Sequence, residues 1–96
     1  MADSNTPNED HKTRCKRIRY RAWHRGTQEM DMVLGHFVDA KVDEMAIADL
    51  DRLENLMDEQ DTDLLKWVMG QEPTPQDVDV ELVRQLIEFQ MNRTKS

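Results

Sequence analysis

Cysteine is nearly missing from this chain: Cys15 is the only one in 96 residues. An intramolecular disulfide is excluded, and no Cys/His spacing suggests zinc. Aromatic residues are also scarce, at 5%. Gly26, Gly35 and Gly70 are scattered, so there is no glycine-rich phosphate loop. No apolar run approaches the roughly 20 residues needed to span a bilayer, and no membrane insertion is expected. The first ten residues, MADSNTPNED, carry three acids and no base, which argues against a signal peptide or an attached presequence. A lone thiol suits a reducing compartment, so the expected location is cytoplasmic.

Hydrophobic residues make up 38% of the chain and charged residues 34%, with a formal net charge of -7. That length supports one small domain. Charge is segregated along it. Residues 11 to 25 hold seven bases and no acid, whereas residues 29 to 63 hold twelve acids against Lys41 and Arg52. A basic segment joined to an acidic body either meets a partner or folds back on that body.

Residues 1–10 are polar without an apolar period and read as a disordered acidic tail. The domain is expected over 11–92, with 93–96 frayed. Cys15, Ile18 and Ala22 recur at helical spacing, and Gly26 ends that helix. Thr27 is placed to cap a second helix, with Glu29 and Asp31 in its first turn. Met30, Val33, Leu34, Phe37 and Val38 form its apolar stripe. Asp43 is the expected cap of a third helix running to about Asp58, with Ala46, Leu50, Leu53 and Met57 inward and Ile47 and Leu56 widening the stripe. Asp61 or Thr62 is the expected cap of a short fourth helix that Gly70 stops. The proline-bearing loop QEPTPQD leads to a fifth helix from about Asp77 or Asp79, with Val80, Val83, Leu86, Ile87 and Met91 inward. No alternating run of strand length occurs. The expected fold is all-α, a compact bundle of five short helices.

Groups able to do chemistry are thin. His11, His24 and His36 share no ligand spacing on one helix face. Cys15 lies among bases that would favour its thiolate, but its place on the core stripe makes it a small buried hydrophobe. The chain is read as not an enzyme. Trp67 is expected in the core with Leu64, Leu65 and Val68. Trp23, beside the first turn, could fill the core or stand half exposed as an anchor. The methionines are placed mostly on core stripes. The basic helix admits nucleic acid, acidic protein surfaces, or plain solvation. The turn RGTQE sets Arg25 and Glu29 on either side of a bare glycine. It reads as a cap with a local ion pair, worth about 0.5 kcal/mol or less, or as a place where another protein comes close.

The stretch YRAWHRGTQEMDMVLGHFV resembles the signature of the succinate dehydrogenase assembly factor family, whose hallmark Arg-Gly-x-x-Glu is matched by Arg25, Gly26 and Glu29, followed by Asp31. The downstream LENLMDEQDTDLLKWVMGQEPTP is similar as well, through Asp61, Asp63, Leu64, Trp67 and Gly70. The resemblance covers roughly residues 14 to 91. It implies a five-helix bundle with no catalytic activity of its own. It also implies a chaperone that binds the flavoprotein subunit of succinate dehydrogenase, and in bacteria that of fumarate reductase, and promotes covalent attachment of FAD. The FAD would belong to that subunit, joined through one of its histidines, with none bound tightly by this chain. The partner surface implied is Arg25, Gly26 and Glu29, extended by Tyr20, Arg21, Trp23, His24 and Asp31. Thr27 stands where a methionine is frequent. No nucleic acid is expected on this reading. The rivals are a nucleic-acid-binding module and an antitoxin-like adaptor, both using the basic first helix.

Overall fold

A computed structural model describes residues 9–95, the side chains of Thr94 and Lys95 excepted. The first eight residues of the expected tail lie outside that range. Five α-helices follow in order: α1 (His11–Trp23), α2 (Gln28–Lys41), α3 (Ile47–Met57), α4 (Asp61–Val68) and α5 (Val80–Lys95). A 3-10 turn at Val42–Glu44 links α2 to α3. No strand occurs among the described residues.

The α2 stripe explains the architecture. Met30, Val33, Leu34, Gly35, Phe37 and Val38 are all buried, a face wide enough to meet helices on several sides. Accordingly α2 packs on α1, α4 and α5. Phe37 meets the edge of Phe89 from α5 with centroids 5.6 Å apart. Leu50, Leu53, Leu56 and Met57 close the core from α3, and Leu64, Trp67 and Val68 from α4. Cys15 is 1% exposed, as expected of a core position. Desolvation, aided by Asp43, pushes its thiol pKa up, away from reactive thiolate.

Several local expectations need correction. Residues 9 and 10 are engaged: Asp10 caps α1 by accepting from the Thr13 N–H at 2.8 Å, and Glu9 pairs with Arg17. Asp43 does not cap α3. It lies in the 3-10 turn, and α3 starts after Ala46, with Ala46 and Ile47 exposed. The cap of α4 is Gln60, without a side-chain bond, because Asp61 is drawn to Arg25 instead. On α5, Val80 and Met91 are exposed and Leu82 is buried, which rotates the stripe by part of a turn. That helix runs through Lys95. Met32, Met69 and Met91 are exposed, so fewer methionines serve the core than expected.

Candidate functional site

The site begins as a consequence of α1 stopping. Its last residue is Trp23, and the His24 N–H closes back on the Arg21 carbonyl at 3.3 Å. The chain then reverses through Gly26, whose φ of 118° is a region that side chains with a Cβ rarely enter. Nothing lies within 4 Å of where its Cβ would sit. The glycine serves backbone conformation, and its surroundings are open. Thr27 caps α2 as expected, its hydroxyl accepting from the Met30 N–H at 3.3 Å. Asp31, one turn into α2, reaches back to accept from the Arg25 N–H at 2.6 Å.

Arg25 lays its side chain against the α3–α4 junction, leaving 10% of it exposed. Its guanidinium donates to the Met57 carbonyl, to the Glu59 carbonyl at 2.9 Å and to the Asp61 carboxylate at 2.8 Å. The first two are carbonyls at the C-terminal end of α3, left without helical donors. The third belongs to the first residue of α4. One side chain thereby joins α1's end to two other helices, with the planar donor fork that only arginine offers. The local Arg25–Glu29 ion pair considered from sequence does not form. Glu29 is exposed, and its side chain makes no hydrogen bond or ion pair among the described residues.

The arginines of α1 also pair with acids of the body. Arg14 reaches Asp51 at 2.6 Å and Glu54 at 2.7 Å. Arg17 pairs with Glu9 and Glu54, and Arg21 with Asp58 at 3.0 Å. Arg19 turns the other way, to Asp43 at 2.8 Å and Asp39 at 3.3 Å. The pairs 14–51, 17–54, 21–58 and 25–61 have sequence offsets of 37, 37, 37 and 36. Two helices running parallel with matched three- and four-residue spacing produce such a ladder. Glu54 is its centre. Burial alone would raise its pKa, but hydrogen bonds from Arg17 and Arg14 outweigh that and hold it below the ordinary value of 4.5. The basic segment thus folds back on its own acidic body, leaving few of its charges for phosphates.

Trp23 is half buried, its indole N–H donating to Asp39 at 3.2 Å and its ring meeting the edge of His36 at 5.1 Å. It lies flat over Gly35: a Cβ there would stand 2.3 Å from the ring. Of the eight residues singled out from sequence, Gly26, Glu29, Tyr20 and His24 are exposed at or beside the turn. Arg25 and Asp31 brace the turn, while Arg21 pairs with Asp58 across the groove to α3 and Trp23 with Asp39 of α2. Sequence reasoning missed Asp61, Gly35, Asp39 and Glu54 as its supports. The near-matched spacings of 14/17/21/25 and 51/54/58/61, three-four-four against three-four-three, show the pairing only once the two helices are seen side by side.

Among the described residues no group of three His, Cys, Asp or Glu side chains could hold a metal ion, and no described helix is long and apolar enough to cross a membrane. Fold and site together define a small helical module that presents a rigidly mounted turn. Residues 16–90 match the family described as flavinator of succinate dehydrogenase, and the chain belongs to that family. It is 36% identical over 75 residues to the FAD assembly factor SdhE of Acetobacter pasteurianus, covering 78% of this chain and 69% of that protein. It is 35% identical over 77 residues to the mitochondrial succinate dehydrogenase assembly factor 2 of Arabidopsis thaliana, covering 79% and 41%. A protein of the same name from Mycosarcoma maydis is 33% identical over 67 residues, covering 70% and 28%. The chain therefore spans less than half of these two mitochondrial relatives.

Proposed function

We propose that this protein binds the flavoprotein subunit of succinate dehydrogenase and promotes covalent attachment of FAD to it, with the fumarate reductase subunit as a second client. The observation that carries this reading is the family match over residues 16–90, which takes in the exposed turn with Gly26 and Glu29. The protein acts without catalytic groups of its own. FAD stays in the partner, whose histidine forms the bond. The groove between α1 and α3 is lined by Arg14, Arg17, Arg21, Asp51, Glu54 and Asp58, charges already paired with one another, and suits no flavin ring. The cytoplasm is the proposed place of action, in keeping with a single buried thiol.

The contribution of the chain is differential affinity. A partner whose flavin pocket samples several arrangements is shifted toward the one that binds best. A surface can select among conformers only if it is stiff, and the Arg25 contacts make the turn stiff. Gly26 lets a partner approach bare backbone, and Glu29 presents an uncommitted carboxylate beside it. Paired arginines on α1 favour a protein partner over nucleic acid. The test is a flavinylation assay on purified flavoprotein subunit with wild type, Gly26→Arg and Glu29→Ala. Loss of covalent FAD with both variants, each folded by circular dichroism, is expected. Full activity in both removes the turn from the mechanism.

A further inference from the structure

Removing the paired arginines from α1 leaves a distinct set of side chains. Lys12, Lys16, Tyr20 and His24 are all exposed and follow one another at four-residue intervals, so they line one face of the helix. From first to last this stripe runs about 18 Å at 1.5 Å per residue. Neither lysine makes an ion pair or hydrogen bond among the described residues, although Lys12 acts through space on the neighbouring cap Asp10. Tyr20 is 66% exposed and stacks on His24, centroids 4.0 Å apart and rings 18° from parallel. The Tyr20 carbonyl lies 2.7 Å from His24 Nδ1. A carbonyl only accepts, so Nδ1 carries the proton. The aromatic pair is thereby held in place at the end of the stripe that adjoins Gly26.

This face is unusual for the molecule that carries it. The chain has a net charge of -7, yet α1 contributes no acid, and its outer face shows two uncommitted cations. Exposed aromatics with a polar edge are favoured at contact surfaces. We propose that the outer face of α1 is a docking surface for an acidic segment of the flavoprotein subunit, Lys12 and Lys16 meeting its carboxylates and the Tyr20–His24 stack packing against it. The inference rests on the function proposed above and extends its contact from the turn along the whole of α1. Charge complementarity speeds and orients such an encounter, with the glycine turn at one end setting the register.

The test is a binding titration of the full chain against purified flavoprotein subunit at low and high salt, using wild type, Lys12→Glu/Lys16→Glu and Lys12→Arg/Lys16→Arg. A glutamate near the N-terminus of α1 is favourable to the helix dipole, and both sites are exposed, so the folds are expected to persist. Charge reversal should weaken binding about tenfold at low salt and flatten its salt dependence, while the arginine pair stays near wild type. Unchanged affinity and salt slope in the reversed variant overturn the proposal while leaving the parent function standing. Failure of wild type to bind the subunit at all overturns the parent function and this inference together. Equal binding of both variants to the subunit, with loss of DNA binding only in the reversed one, assigns the face to nucleic acid and overturns it too.

Discussion

Arg25 and Glu29 stand four residues apart on either side of one glycine, and their surroundings are opposite. The arginine side chain is almost enclosed and makes bonds to three residues of another helical junction. The glutamate is exposed and bonded to nothing among the described residues. Two charges of one short motif therefore carry different burdens. One mounts the turn on the bundle, and the other is left for whatever meets it. A motif read as a unit in sequence separates into a support and a contact once its neighbours are known.

The largest expected effects lie on the support side of the turn. Arg25→Ala should destabilise the protein by about 3 kcal/mol, because it strands a mostly buried Asp61 and two carbonyls without donors. Urea denaturation at neutral pH measures this, and a loss below about 1 kcal/mol would show that the junction holds without its arginine. Gly35→Ala comes next, at about 2 kcal/mol, since the added Cβ would overlap the Trp23 ring and expel it or shift α1. Trp23 fluorescence should redden in that variant, reporting an indole moved into water. Gly26→Ala should cost about 1 kcal/mol through backbone strain alone, as the space around it is open. Thermal unfolding of the two glycine variants together distinguishes a crowded glycine from a strained one.

The ladder on α1 adds a pH test. The Glu54 pKa is depressed in the folded protein, so its stabilisation is complete above the unfolded value near 4.5. It is lost as pH falls through the lower folded value. Asp79, held down chiefly by Arg52 and also by the Leu82 N–H, acts in the same direction below its ordinary 3.8. Glu54→Gln should therefore cost about 1 kcal/mol at pH 7 and progressively less below pH 4.5. A difference that stays constant from pH 7 to pH 3 would count against the ladder. The smallest stability effect belongs to Glu29→Ala, within about 0.5 kcal/mol of wild type. Its flavinylation defect should nonetheless match that of Arg25→Ala, which separates contact from support.

Much of the fold was readable because helices obey local rules. Five α2 residues chosen by spacing, Met30, Val33, Leu34, Phe37 and Val38, are buried, and Thr27 caps where a hydroxyl before an acidic turn should. The errors fall where a distant residue overrides the local signal. Asp61 would have made an adequate cap for α4, but Arg25, 36 residues earlier, engages its carboxylate. Ile47 and Val80 sit in plausible stripes yet face water; at the start of α5 it is Leu82 and Val78 that meet the core instead. Gly35 reads as a weak point in α2 until the Trp23 ring is seen above it.

By itself, then, the sequence determined the helical class, the inward stripes and the glycine turn, since each depends on residues within a few positions of one another. Tertiary structure decided which acid each arginine of α1 meets and which charge of the turn stays free. Those outcomes depend on α1 and α3 lying parallel at a register of 36 to 37 residues, a separation over which spacing alone specifies no distance.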